Sequence, residues 1–204
     1  LKKNELLFKN KEKPSGIFLV ESGIIKIISP YGKNKKFITK LVGKGGIIGM
    51  EAAVIERKYI TSCQAHIESV IYKIPVEPFL KLIYTNRECF NKIIDLMGKE
   101  LDFARNRIVC LSQKTGKQRL AEAVVWLHDF FGVDDPASGG TVSVAVKPSD
   151  LAEFVGTATG NLYKLLTLIQ GLGCIEYKYN KLKVLNHKKL VEIANPDQKE
   201  FGKE

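Results

Sequence analysis

With 204 residues, 45% of them hydrophobic, the chain has room for one or two domains that each bury a core. Lysine and arginine number 32 against 22 aspartate and glutamate, a net charge of +10 and a pI near 9.4, which favours a polyanionic partner, nucleic acid before a membrane surface. No apolar run approaches the ~18 residues of a membrane span, and Leu1-Lys-Lys-Asn-Glu5 is no signal peptide, so a cytoplasmic protein without a membrane partner is expected.

The start without Met leaves open residues before Leu1. Cys63, Cys89, Cys110 and Cys174 are scattered, with no CxxC spacing. They read as reduced thiols, and no metal or iron–sulfur site is expected.

In chain order, residues 1–75 read as short strands punctuated by glycine: Ile17–Gly23, Ile24–Ile28, Lys36–Val42, Thr61–Ala65 and Val70–Ile74. Ser29–Asn34 has turn composition, and Lys44–Gly49 reads as a break. Strands at this spacing suggest an antiparallel sandwich or roll. Val76 to about Leu82 suggests a short helix.

From about Asn86 the period changes. Phe90, Ile94, Met97, Leu101, Ala104, Ile108 and Leu111 are spaced 4-3-4-3-4-3, a heptad seam. Ile93, Leu96, Phe103 and Val109 add apolar surface beside it. The spacing predicts a helix that meets its own copy through the seam and packs its other surface on the roll. A single helix buried within one subunit is the alternative.

Gly116 marks a break before a helix over Lys117–Phe131, carried by Leu120, Val124, Leu127 and Phe131. Gly132–Gly140 reads as a loop. Val142, Val144 and Val146 alternate as in a strand.

Pro148–Ile169 then holds two short helical patterns that meet at Gly156, with Ser149 or Asp150 as N-cap of the first. Leu151, Ala152 and Val155 form the first apolar face; Leu162, Leu165, Leu166 and Ile169 form the second. The small Ala152 suits a close crossing, and Gly156 suits a tight turn with positive φ. This is the pattern of a helix-turn-helix, with Thr159, Gly160, Asn161, Tyr163 and Lys164 turned outward toward a DNA groove. A helical hairpin in a core is the competing reading. Ile175–Tyr179 and Leu182–Leu185 flank Asn180-Lys181 as a β-hairpin, with Lys178, Lys181 and Lys183 available for phosphates. Helix, helix and hairpin in this order make a winged helix-turn-helix, and Lys188–Ala194 closes the chain as a last short helix.

The order of roll, long helix and winged helix-turn-helix resembles the Crp/Fnr family of bacterial transcription regulators over nearly the whole chain. The residues that carry it include Gly16-Ile-Phe-Leu-Val-Glu-Ser-Gly23 and Gly45-Gly-Ile-Ile-Gly49, which is similar to the family's Pro-Gly-Asp-apolar-apolar-Gly turn. Cys110–Ala123 resembles the junction between dimer helix and DNA-binding domain. The resemblance implies an α+β chain with three parts: a cyclic-nucleotide-binding-like antiparallel β-roll (jelly-roll-like) over 1–85, a dimerisation helix over 86–114, and a winged helix-turn-helix over 115–204.

It also implies a homodimer on a pseudo-palindromic operator in double-stranded DNA, with RNA polymerase as a further candidate partner. Family members often bind a cyclic nucleotide through a glutamate after the turn's last glycine and an Arg-Ser pair further on. Here Met50 follows Gly49, Glu51 comes one position late, and Tyr59-Ile60 stands where Arg-Ser would fall. Gly49, Met50, Glu51, Tyr59, Ile60 and Thr61 are therefore the effector-pocket candidates, but a buried phosphate without a cation is costly, and cyclic AMP is not expected. No cofactor is named.

The recognition helix departs too. Thr159, Gly160 and Lys164 stand where the family carries Arg-Glu and a second Arg, so the operator differs from the usual consensus. An enzyme is not expected. His66, His128 and His187 are isolated in sequence, no catalytic motif is present, and no motif supports haem ligation by His66 or Met50. The alternative function is a module that senses an effector, touches DNA weakly and acts through protein contacts. The effector, the target genes and the sign of regulation stay open.

Overall fold

The computed structural model describes residues 1–31, 35–55, 57–135 and 141–196. Two compact units divide the chain, Leu1–Arg105 and Asn106–Glu204.

The first unit contains β1 (Leu6–Phe8), β2 (Ile17–Ser22), β3 (Ile25–Tyr31), β4 (Lys35–Val42), β5 (Ile47–Ile48), α1 (Met50–Val54), β6 (Ser62–Ala65), β7 (Val70–Ile74) and α2 (Val76–Thr85). The strands form two antiparallel sheets, ordered β1-β6-β3-β4 and β5-β2-β7. Alternating side chains of both sheets make one core, with Phe18 and Val20 from β2, Ile25 from β3, and Cys63 and Ala65 from β6. Phe8, Val42, Ile48, Ala52 and Tyr59 complete it. Three elements here escape sequence reading. Ile47–Ile48 lies in the expected break yet pairs with Leu19 and Phe18 as β5; β1 and α1 are each too short to show a period. Gly32 to Asn34 of the expected turn lie outside the described residues.

The long helix α3 runs Arg87–Gln113 and belongs to both units. Its faces differ in chemistry. Ile93 and Leu96 pack on Ile17, Met50, Ala53, Phe79 and Ile83. Lys40 pairs with Glu100 and sits over the Phe103 ring, extending that attachment. Exposed pairs Glu88–Lys92, Asp95–Lys99 and Asp102–Arg105 line a second face. The third face is the heptad seam, and the single chain leaves it uncovered: Phe90 is 44% exposed, Ile94 55%, Leu101 52% and Ile108 66%. Met97 and Ala104 are exposed as well, while Leu111 is partly buried.

The second unit adds α4 (Gly116–Phe131), β8 (Val133–Asp135), β9 (Thr141–Ala145), α5 (Pro148–Val155), α6 (Thr159–Gly171), β10 (Ile175–Lys178), β11 (Lys181–Val184) and α7 (His187–Ala194). Its sheet is ordered β10-β11-β9-β8 and is antiparallel throughout. Leu120, Val124 and Leu127 of α4 share a core with Leu151, Val155, Leu162, Ile169, Leu182 and Leu190.

Four local expectations are corrected. Part of the Gly132–Gly140 loop is strand, because Val133–Asp135 pairs with β9; residues 136–140 lie outside the described residues. The break expected at Gly116 is present but falls just before it, at Lys114 and Thr115, and Gly116 opens α4. The start is set by Thr115, whose hydroxyl accepts from the Gln118 N–H while the Gln118 side chain accepts from the Thr115 N–H, a capping box. A Cβ at Gly116 would lie 3.2 Å from Leu165 Cδ1, which accounts for the small residue. The N-cap of α5 is Lys147, not Ser149 or Asp150, because Pro148 takes the first helical position, where its missing N–H costs nothing. The wing turns at Tyr179-Asn180, one residue early, with both residues at positive φ (52° and 61°), the requirement of a tight two-residue hairpin turn.

Candidate nucleic-acid interface

The interface is built on the α5–α6 pair. Leu151, Ala152, Phe154 and Val155 bury one side of α5. The Ala152 carbonyl accepts from the Gly156 and Thr157 N–H groups at 2.9 and 3.0 Å, and Gly156 takes φ 75°, ψ 47°. A left-handed residue lets the chain reverse within three residues, as glycine does without strain. Leu162, Leu165, Leu166 and Ile169 then bury the inner face of α6. What remains outward is Thr159, Gly160, Asn161, Tyr163 and Lys164, all exposed. Asn161 Nδ2 donates to the Thr157 hydroxyl at 2.8 Å, which fixes the entry to the helix. The N-cap, Ala158, offers no side-chain bond, so the first N–H groups of α6 have no side-chain cap. A Cβ at Gly160 would meet nothing within 4 Å, so no packing demand explains this glycine.

The wing is tied to the same helix. Tyr177 N–H donates to Gln170 Oε1 of α6 at 2.7 Å, and the Tyr177 hydroxyl donates to the Val146 carbonyl at 2.9 Å. Burial, with the nearby Tyr163 phenol adding to it, pushes the Tyr177 hydroxyl up to about 12, so it remains a donor at neutral pH. Register sets which lysines share a face: Lys178 stands opposite Lys181, and Lys183 stands opposite Glu176. The wing's positive charge is therefore strongest at its tip, where the Lys178 ammonium also lies 5.1 Å from the Tyr179 ring.

Two arginines that sequence reading passed over hold the turn in place. Arg119 donates to the Val155 carbonyl at 3.1 Å and the Gly156 carbonyl at 3.5 Å, and also to Lys114 and Leu111 at 3.0 and 3.4 Å. Arg107 donates to the Phe154 carbonyl at 2.6 Å and lies over the Phe154 ring at 4.7 Å. Carbonyls at a helix C-terminus lack partners within the helix, and these guanidinium groups supply them. Neither residue belongs to a recognisable local pattern, because each partner is a backbone oxygen contributed by another element.

In the first unit the six pocket candidates separate. Gly49 takes φ 82° as the cap of α1, and a Cβ there would lie 3.3 Å from the Tyr59 ring. Tyr59 is buried, stacked on Phe8 with ring centroids 3.6 Å apart, and its hydroxyl donates to the Gly16 carbonyl at 3.3 Å. Met50 packs in the cluster beneath α2, Glu51 and Ile60 are exposed, and Thr61 is partly buried. Burial pushes the Cys63 thiol far above its ordinary value and the Cys110 thiol to about 11, so both are protonated and unreactive at neutral pH. None of the four cysteines is paired in a disulfide. The structure also brings together residues that looked isolated: His128 and His187 converge on Asp129.

Comparison with known proteins agrees with this layout. The family model described as cyclic nucleotide-binding domain matches residues 1–86. Among curated relatives, electron transport regulator A of Shewanella oneidensis is 25% identical over 194 residues, covering 95% of this chain and 77% of that protein. The transcriptional activator protein anr of Pseudomonas aeruginosa is 24% identical, covering 95% and 79%. A CRP/FNR-family transcriptional regulator from Thermus thermophilus superposes with a TM-score of 0.82 at 21% identity, covering 96% of each chain. FixK2 from Bradyrhizobium japonicum does so at 0.83 and 15% identity, covering 94% and 93%. The chain is thus similar over nearly its whole length to relatives named as regulators, and it shares the fold of solved CRP/FNR-family transcriptional regulators.

Proposed function

We propose that this regulator works as a homodimer on a pseudo-palindromic DNA operator, reading bases through α6 and phosphates through the wing, and that its roll does not take cyclic AMP. The observation that carries the DNA reading is the division of α6. One face is fully packed, and the other presents Thr159, Asn161, Tyr163 and Lys164 beside a glycine that no packing requires. A residue without Cβ on that face lets backbone approach the duplex closely. The N–H groups at the start of α6 favour a nearby phosphate by their partial positive charge.

Base and phosphate contacts separate in mutants. Lys164→Ala relaxes preference at one base pair per half-site and costs on the order of 1–3 kcal/mol on the selected operator. Lys181→Ala weakens operator and scrambled DNA alike and reduces the salt slope by about 1. Binding is measured at several salt concentrations on both DNAs. Equal weakening of both by Lys164→Ala makes that lysine a phosphate contact and overturns its assignment.

The cyclic AMP reading rests on Tyr59. Its ring, stacked on Phe8, stands where the family's resemblance calls for an arginine against the cyclic phosphate. The neighbouring Ile60 is 82% exposed and offers no charge. Titration calorimetry with cyclic AMP is expected to give no binding below millimolar; a micromolar dissociation constant refutes this part alone. RNA polymerase is the protein partner we assign to a regulator of this kind, and a pull-down with purified polymerase on operator DNA tests it.

A further inference from the structure

His128 lies on the last turn of α4, Asp129 follows it, and His187 is the first residue of α7. Asp129 Oδ1 is 2.8 Å from His128 Nδ1 and 2.8 Å from His187 Nε2. The ligand atoms of all three residues lie within 4.8 Å of one another. The imidazole rings sit 4.9 Å apart between centroids at 46°, so they are not stacked flat and both can turn a nitrogen to one point. Both imidazoles reach the same carboxylate oxygen, which gathers the three atoms into a compact triangle that a point charge can face. The side chains are 23%, 44% and 41% exposed, which leaves one side of the triangle open to solvent.

We propose that His128 Nδ1, Asp129 and His187 Nε2 form a binding site for a divalent late transition metal of the zinc class. Two imidazoles and one carboxylate are a ligand set that suits such ions and not calcium or magnesium, which prefer oxygen alone. Zinc takes such nitrogen and oxygen ligands at about 2.0–2.1 Å, which in a tetrahedron puts neighbouring ligand atoms about 3.3 Å apart. To reach that spacing the two 2.8 Å separations open by about half an ångström, while the third pair of ligand atoms starts within 4.8 Å. Three protein ligands leave a fourth position for water, which the open side provides.

The ligands come from two elements far apart in the chain, so a bound ion would fasten the start of α7 to the end of α4. The same α7 carries Lys189, whose ammonium donates to the Leu172 carbonyl at the end of α6 at 2.8 Å. Metal occupancy is thereby linked to the stability of the unit that holds the recognition helix. This inference does not depend on which DNA sequence is read or on the effector of the roll.

The test uses the full chain, dialysed against a chelator and then titrated with Zn²⁺ by calorimetry and with Co²⁺ by absorption. One ion per chain is expected at micromolar affinity or tighter, with a Co²⁺ visible band of four- or five-coordinate strength. His187→Gln and Asp129→Asn are each expected to weaken binding at least about a hundredfold, beyond the loss of about 10–100-fold seen when an outer-shell partner is removed. A Cys89→Ser variant is expected to bind as the parent does, separating this site from thiol binding. Zn²⁺ at a hundred times its dissociation constant should raise the melting midpoint by several degrees in the parent and in Cys89→Ser, about as linkage requires, and leave His187→Gln unmoved. Binding weaker than millimolar, or affinity unchanged in both His187→Gln and Asp129→Asn, means that the three side chains form a hydrogen-bonded trio and no metal site. Melting without metal identifies any variant that fails to fold, and His128→Gln then serves as the second ligand deletion.

Discussion

Leu101→Lys is expected to convert the proposed homodimer to monomer. Leu101 is an exposed position near the middle of the seam on α3, with Met97 and Ala104 on either side of it. The single chain covers the neighbouring face with its own core, where Ile93 and Leu96 pack on Phe79 and Ile83. It lines another with ion pairs such as Asp95–Lys99. That leaves one stripe of large apolar side chains facing water along most of a 27-residue helix. Such a stripe marks an interface, and its 4-3 spacing fits a self-complementary coiled coil. In a two-fold pairing, a lysine at 101 is placed opposite or next to its own copy, so two ammonium groups lose water together. An unpaired buried charge costs several kcal/mol, enough to shift dissociation by about a hundredfold or more. Sedimentation at micromolar concentration is expected to give monomer for Leu101→Lys and dimer for Asp95→Ala, which alters the charged face only. A fully dimeric Leu101→Lys places the interface elsewhere. Operator affinity should fall in the monomer, since each half-site is then bound without its neighbour.

That seam was readable in the sequence because a helix repeats its chemistry over many residues. From Phe90 to Leu111 the same apolar signal recurs at every turn. The α5–α6 motif was readable for a similar reason, since Gly156 and the leucines of α6 are fixed by local geometry. Strand β5 was not readable: Ile47 and Ile48 are two residues between glycines, and what makes them a strand is their partner β2. The start of α5 was missed because proline at the first helical position competes with the usual polar cap.

Contacts between distant residues were the least accessible. Asp129 and His187 are 58 positions apart and meet because α7 packs on α4. Arg119 and Arg107 bind backbone carbonyls, which leave no mark on the partner's residue type. The pocket candidates illustrate a further limit. Register alone placed Tyr59 and Ile60 side by side at one site, but the Tyr59 ring is buried on Phe8 while Ile60 is exposed.

Arg119→Ala should loosen the helix-turn-helix while leaving its own side chains intact. The guanidinium donates to four carbonyls, Leu111, Lys114, Val155 and Gly156. Two of these close the C-terminal end of α5, and two belong to the end of α3 and the link into α4. A cation at a helix C-terminus is favoured by the helix dipole, and hydrogen bonds to a charged donor contribute about 1.5–3 kcal/mol each. Some of these bonds are long and water replaces part of the loss, so the net destabilisation is on the order of 2–4 kcal/mol, within the range of a broken polar network. Lysine cannot substitute, because one ammonium on a flexible stem does not span carbonyls on both sides of a planar fork. Arg119→Lys should therefore recover less than about half of the lost stability. Urea unfolding followed through Trp126 on α4 reads the second unit directly. Amide exchange at Gly156 and Thr157, whose N–H groups bond to Ala152, reads the turn itself. Both amides should exchange faster in Arg119→Ala, and operator affinity should fall without any change in base preference, because the outward face of α6 is untouched. If unfolding and exchange at the turn match the parent, water serves those carbonyls as well as Arg119 does, and the arginine has no part in holding the reading head.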